Sequence, residues 1–473
     1  FKQKTAYEIG VRLVGSEMCI RDRSKAEFST GLQSFHWMNK ESLARAAYLI
    51  GQNAGQSFSR SLGNSFRQTV AGILAKKKMT PEKMLEGTIK ATVSRCKQAK
   101  GERIIVAQDT TYYNYTGHKK KKGLGMIQGD VKGIIQHNAL AIDESGGIPL
   151  GMIYQCNWTR QEEGAREFEV ESDKWFKGLQ AVNDHLGDIG KSVVVVQDRE
   201  ADIFDFFKAP RAEKVDLLVR ICQPRKLEIQ ATHQIAGLYS AIEKLPELGA
   251  CRVNIRRANR EIQLTLSIQA SCVNVLPKKD LSPRLHKTKG LSIVVAKEIA
   301  AVDSKGNDCF DPENAACWIL LTSLDAQSLE QACQIVYYYS LRWLVERLHY
   351  TLKSGSLEVE KLQFDDVQTT FNALAFYTII AWRILFLTLS VRQNPSQGPQ
   401  DYFTPLERKV LRSKFPQADE SLAHAIKALG KLVNFVPTSA QPFPGIKIMA
   451  EALRKLNHIT EAIKDIYQDP LQD

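Results

Sequence analysis

Short apolar runs bounded by polar residues dominate the first half of the chain, and longer helical stripes dominate the second. Near the N-terminus, apolar residues recur at helical spacing over Ser42–Gly51 and Ser61–Leu74, and Thr80-Pro81 is a start signal for a third helix running to about Cys96. Arg103–Asp109 (RIIVAQD) reads as a buried strand ending in an acid. Ile135–Asp143 and Ile148–Gln155 read as two more strands joined by a Gly146-Gly147 turn. Gly164–Leu186 returns to helical periodicity. Ser192–Gln197 (SVVVVQ) is a fully apolar strand followed by Asp198, and a helix is predicted to begin at Glu200–Phe207. Strands then crowd together at Val215–Cys222, Cys251–Ile255, Glu261–Gln269, Leu291–Ile299 and Cys317–Leu321, separated by basic loops. Helices resume near Ser328 and run to the end, interrupted by loop-like Gln393–Tyr402 and Pro437–Gly445. The fold class this predicts is α/β, a mixed sheet with helices on its faces and a β-rich insertion at about 215–322. No internal repeat is visible.

One stretch, Ala373–Val391, is apolar for 19 residues, but Arg383 sits at its centre. A central Arg costs about 2.5–3.5 kcal/mol on insertion scales, so a buried helix is expected rather than a membrane span. Residues 1–23 have no secretory pattern, and their composition is not continuous with the helical segment after them. They are expected to be a non-native tail fused to a truncated N-terminal module.

With 473 residues, 44% hydrophobic and 25% charged, the composition is that of a globular protein with a sizeable core. The net charge of +12 is uneven. Residues 24–102 hold thirteen Lys/Arg against five Asp/Glu, most of the excess. A basic helical module ahead of an α/β body suits nucleic-acid contact, and a solvated helix face would give the same count. Nine Cys include no C-x2-C pair, which disfavours a zinc ribbon, and their odd number fits reduced thiols in the cytoplasm. There is no P-loop, so no nucleotide cofactor is expected.

The chemistry concentrates in three places. Asp109 precedes Thr110-Thr111, and Asp198 opens Asp198-Arg199-Glu200-Ala201-Asp202. Acids at strand ends are common caps, so neither is decisive alone. The third is YYYSLRWLVERLHYTLK at 337–353. On a continuous helix, Tyr339, Arg342, Glu346 and Lys353 project within about 60° of one another. An i,i+4 salt bridge explains Arg342 and Glu346 but not all four. Three carboxylates suit two divalent ions, Mg²⁺ or Mn²⁺, beside a DNA phosphate, with Arg342 and Lys353 as flanking cations and Tyr339 as a donor to phosphate oxygen. Two-carboxylate glycoside hydrolysis does not account for the cations. His349 fits helix packing or DNA contact, and Lys119–Lys122 fits phosphate binding or a solvated loop.

With these motifs the chain resembles the bacterial cut-and-paste DDE transposases of the insertion-sequence-four family, whose signature is the Y-x2-R-x3-E-x6-K spacing. The likeness runs from about Arg45 to about Ile459. It implies a ribonuclease-H-like core over 103–364 with Asp109, Asp198 and Glu346 as metal-holding catalytic triad. It also implies a DNA-binding helical domain over 24–102 and a helical dimerisation domain over 365–473. The implied activity is nicking of transposon ends, hairpin formation and opening, and strand transfer into target DNA by a homodimer, cytoplasmic and nucleoid-associated. The resemblance further matches Trp318 to a base-stacking Trp and Arg220 to a strand-end Arg near the site. A core Trp and a surface salt bridge are the alternatives for these two. Phe28–Asn39 lacks the family's usual N-terminal segment, and a nuclease that cuts without joining, or a silent truncated copy acting as a DNA-binding inhibitor, would share the same residues.

Overall fold

In a computed structural model, residues 36–53, 55–160, 170–257, 260–277, 288, 290–439 and 441–467 are described. The proposed tail 1–23, the start of the 164–186 helix and parts of the basic loops near 258 and 280 lie outside them. The protein is a mixed α/β structure built on a large mixed sheet.

Among the described residues, four helices precede the sheet: α1 (Trp37–Gln52), α2 (Phe58–Leu62), α3 (Asn64–Leu74) and α4 (Pro81–Gln98). The predicted 61–74 helix is split by Gly63. Its φ of 71° lies in the left-handed region that glycine reaches without penalty, so it ends α2 and begins α3. α4 starts as expected, with the Thr80 side chain accepting from the Lys83 amide and Pro81 in the first turn.

Among the described residues the sheet has twelve strands. Its centre is β1 (Arg103–Asn114), β3 (Val131–Asp143) and β4 (Ile148–Trp158), which pair antiparallel in the order β4-β3-β1. β5 (Ser192–Gln197) and β6 (Val215–Arg220) then run parallel to β1. The short β2 (Gly125–Gln128) pairs with the start of β3. Beyond β6 the sheet continues antiparallel through β12 (Cys317–Thr322), β11 (Leu291–Asp303) and β10 (Arg260–Val275). The edge is built from β7 (Lys226–Ile229), β8 (Gln234–Gly237) and β9 (Glu247–Arg257). β6, grouped by sequence with the inserted strands, is thus a member of the parallel row. The inserted strands extend the same sheet. The helix predicted from Glu200 is two single 3₁₀ turns, Arg199–Ala201 and Phe204–Lys208.

Each sheet face is covered. Helix α5 (Asp173–Leu186) and the 3₁₀ turns bury one face with Trp175, Leu179, Phe206 and the odd-numbered residues of β5. Against the other lie α7 (Leu329–Ser340), α8 (Trp343–Tyr350) and α9 (Val367–Gln393), numbered after the one-turn α6 (Leu238–Ile242). Helices α1, α3 and α4 share this second core, so the basic segment packs onto the same apolar body as the sheet. The remaining helices, α10 (Pro405–Lys414), α11 (Leu422–Lys431) and α12 (Ile446–Tyr467), close a smaller core against the end of α9. α9 is long and apolar enough to cross a membrane, but 83% of its apolar window is buried inside the protein. Trp382 donates its indole N–H to the Pro149 carbonyl (2.9 Å), and the Arg95 guanidinium lies 4.2 Å from the same ring.

The basic run 119–122 is tied down at its second half, where the Lys122 backbone pairs with Asp365 and Val367 and the Lys121 side chain is held. Lys121 is buried, and its ammonium donates to the Phe364 carbonyl (2.7 Å) and Thr370 Oγ1 (2.8 Å). Burial pushes that ammonium down to about 8, with Asp366 and Asp365 opposing the shift. Lys119 and Lys120 are exposed. Lys121 therefore staples the loop after β1 to the start of α9. Lys121→Ala is expected to lower unfolding free energy by about 1–3 kcal/mol by orphaning buried acceptors, while Lys119→Ala and Lys120→Ala stay within about 0.5 kcal/mol. Urea unfolding of the three variants checks this, and equal effects at all three would refute the staple.

Candidate functional site

Strand register and side-chain alternation assemble the site. β1 and β5 pair Ala107 with Val196, and β5 and β6 pair Gln197 with Val219. Continuing that register sets Asp109, Asp198 and Arg220 level with one another on three neighbouring parallel strands. Side chains alternate faces along a strand. Ala107, Val196 and Leu218 point into the α7–α9 core, so residues two further along point the same way. Trp318 on β12 packs on that face too. Asp198 directly follows β5, as expected. Asp109 does not end its strand, because β1 runs on to Asn114 by pairing with β3. The acid marks instead the level at which β5 falls away.

The 337–353 segment brings the opposing residues, though not as one helix. The Leu341 amide bonds back to Tyr338 (3.1 Å) and the Arg342 amide to Tyr339 (3.1 Å), a tight turn that separates α7 from α8. After α8 the chain widens into a π turn at Thr351–Gly355. The single stripe expected from 100° spacing is therefore broken on both sides of Glu346. Tyr339, Arg342 and Glu346 still face the strand acids, while Lys353 is carried elsewhere. Its half-buried ammonium lies 5.6 Å from the Tyr113 ring, and burial, opposed by Glu360, holds it below the usual lysine range.

Arg342 is the hub. Nη1 donates to Asp109 Oδ2 (3.3 Å) and Nη2 to Glu346 Oε1 (2.5 Å). Asp198 is the third acid that stabilises its charge, and together these acids and Tyr339 hold it above its ordinary value despite burial. Tyr339 is buried, its ring 5.9 Å from the guanidinium and 5.2 Å, edge to face, from Trp318. Trp318, Tyr339, Arg342, Asp109 and Glu346 thus form one contiguous wall. Arg220 lies in the same row but donates to the Cys317 carbonyl (3.0 Å).

The acids differ in environment. Asp109 is pushed up to about 7, first by burial, with Asp198 and Glu346 adding repulsion and Arg342 opposing. Its Oδ1 accepts from the Thr110 amide (2.8 Å). Asp198 is also raised by burial, against an amide bond from Glu200 (2.9 Å) and the pull of Arg342. Glu346 is half-exposed. Among the described residues, no three His, Cys, Asp or Glu side chains stand close enough to enclose a metal ion. Asp109 lies within charge range of both other members of the expected triad, with Arg342 standing between it and Glu346.

The structure adds one residue that no motif signalled, Lys174, and gives surroundings to two that the motifs left open, Asp202 and His349. Lys174 on α5 is buried, pairs with Glu200 (2.9 Å) and lies within charge range of Asp198. Asp202, the last acid of the 198–202 motif, is structural. It pairs with Arg225 and accepts from the Cys222 and Gln223 amides (2.7 Å each). His349 is buried, with Nδ1 4.0 Å from Asp109 Oδ2 and Nε2 3.0 Å from the Asn138 amide nitrogen. Burial and the cations Lys353 and Arg342 hold it down to about 3, so it is neutral.

No protein-family model matches the chain. Among solved structures, it is similar to a piggyBac transposase in a synaptic complex with hairpin DNA, at 9% identity and a TM-score of 0.37, covering 96% of this chain and 80% of that one.

The raised carboxyl of Asp109 sets a pH signature. Unfolded, it titrates near 3.8, and folded near 7, so the folded chain retains a proton that the unfolded chain releases in between. Its contribution to stability is full below about pH 4 and is lost as pH rises to about 7. Asp109→Asn lacks this loss. In EDTA, the melting temperature of the variant relative to wild type should climb between about pH 4 and about pH 7.5. A constant or falling difference would show that pairing with Arg342 outweighs burial.

Proposed function

We propose that the chain is a metal-dependent DNA transposase of the DDE type, with Asp109, Asp198 and Glu346 as its catalytic acids. The observation that carries this reading is their delivery, from two adjacent parallel strands and a facing helix, to one guanidinium. That arrangement supports a ribonuclease-H-like core. The proposed activity includes a divalent cation, Mg²⁺ or Mn²⁺, for which Asp109, Asp198 and Glu346 would be the hard oxygen donors once they draw closer together than they stand around Arg342. A bound pair of such ions would activate a water or 3′-hydroxyl and stabilise the leaving oxygen of a phosphodiester.

The protein's own groups supply the rest. Arg342 presents its fork to a phosphate oxygen at the point where charge accumulates. Tyr339 backs the guanidinium and, through edge-to-face contact, fixes the plane of Trp318. Trp318, only partly covered, offers a stacking platform for a base drawn out of its duplex, as hairpin formation requires. Arg220, in the same row as the acids, and Lys353, set apart from them over Tyr113, would each meet the DNA backbone. The partners are double-stranded DNA, both transposon ends and target, held by a homodimer, and no nucleotide cofactor is used.

Incubation with Mg²⁺ and DNA carrying the transposon ends should yield nicks and then hairpins. Asp109→Asn, Asp198→Asn and Glu346→Ala should each slow nicking by about 10³-fold or more, the equivalent of several kcal/mol of charge stabilisation. Glu346→Ala nicking at the wild-type rate would defeat the reading. A pre-cleaved 3′-hydroxyl end that is never joined to target DNA would reduce the protein to a nuclease.

A further inference from the structure

Two thiols meet at the joint between the inserted strands and helix α7. The odd-numbered residues of β9 face the core that α7 also covers. Gly249, Cys251, Val253 and Ile255 pair with Ile268, Leu266, Leu264 and Ile262 of β10, all members of that core. Gly249 sets the approach, because a Cβ there would stand 2.9 Å from Leu329 Cδ2 in the first turn of α7. Cys251 lies two residues further on the same strand face, about 7 Å along. Cys333 lies one turn beyond Leu329, about 6 Å along the helix. These matched steps bring Cys251 against Cys333. Both pack on the core only in part, and both are free thiols. Burial raises both, Cys251 to about 12 with its neighbour's charge adding, while the hydrogen bond between them pulls Cys333 back. Cys333 is therefore the sulfur that ionises first.

We infer that Cys251 and Cys333 are a redox pair, closed to a disulfide by a peroxide, that clamps the inserted strands onto α7. The Cys333 thiolate attacks hydrogen peroxide, an S–O bond forms, the O–O bond breaks, and the departing oxygen leaves as water. The Cys251 sulfur then attacks the sulfenic sulfur, an S–S bond forms, the S–O bond breaks, and the hydroxyl leaves as water with the Cys251 proton. The thiols lose a pair of electrons and a pair of protons, and the peroxide becomes a pair of waters. The loop so closed contains β10, β11 and β12. Trp318 lies on β12 and Tyr339 on α7 with their rings 5.2 Å apart, so the clamp fixes the two halves of the wall at that contact. Buried thiols yield little thiolate, and closure answers sustained oxidant rather than a brief pulse.

The test holds the full chain in mildly alkaline hydrogen peroxide, alkylates the remaining thiols, and reads the digest by mass spectrometry beside melting curves. A peptide pair joining Cys251 to Cys333, lighter by two hydrogens, with a melting temperature raised by several degrees and restored by dithiothreitol, supports the inference. Cys251→Ser and Cys333→Ser should each lose the cross-link and the rise. Both thiols still free once the exposed Cys317 is oxidised, either thiol joined to another cysteine, or Cys333 carried to sulfinic acid beside a free Cys251, overturns it. A cross-link that leaves the melting temperature unchanged overturns the clamp. The cross-link map is read on the wild-type chain, so a serine variant that does not fold leaves the test standing.

Discussion

Three carboxylates held near one another need a cation among them, and in this protein that cation is Arg342. Its charge is felt by Asp109, Glu346 and Asp198 alike. Each end of its planar fork reaches a different acid, in a geometry that the rigid guanidinium fixes in advance. The helix does nothing to hold it there. Arg342 is the N-cap of α8, where the helix dipole disfavours positive charge, while Glu346 in the first turn is favoured by the same field. The acids therefore hold the arginine in place, and any ligand that competes for it, or for them, shifts a balance already set.

That balance depends on strands that cannot slip. A one-residue change of register would send Asp109 to the opposite face. The parallel pairing with β5, the long antiparallel pairing with β3 and the apolar cores on both faces prevent it. The far face carries its own polar tie, where Gln108 Oε1 accepts from Gln197 (3.0 Å) directly behind the two acids. The helical side is anchored as firmly. Tyr337 and Tyr338 donate to the Glu144 backbone carbonyl (2.6 Å) and carboxylate (2.7 Å), so α7 reaches the site from a fixed root.

Much of this was legible in local sequence. The apolar runs gave β1, β3, β4 and β5, and the proximity of Asp198 to a strand end followed from its run of four valines. What sequence could not show arose from tertiary contacts. Asp109 lies mid-strand because β3 pairs beyond the reach of β5. The Tyr339–Lys353 stripe is interrupted because the anchored tyrosines and the wall of acids select a tight turn at 341–342. By sequence Lys121 fits phosphate binding or a solvated loop, and Lys174 carries no signal, yet both are buried and paired within the fold. The polar strands β7 and β8 lack an apolar signature and were missed.

The wide turn at Thr351–Gly355 has a separate implication. A π turn holds one more residue than an α-helical turn over the same span, and the Ser356 amide reaching the Thr351 carbonyl is its mark (3.2 Å). The peptide length between Glu346 and Lys353 is thereby uncoupled from their angular relation. Loss of a single residue from this coil ahead of Lys353 would restore ordinary winding and swing the ammonium it carries by about a third of a revolution. The segment works as a vernier, through which the reach of a distal cation can be reset while Glu346 stays untouched.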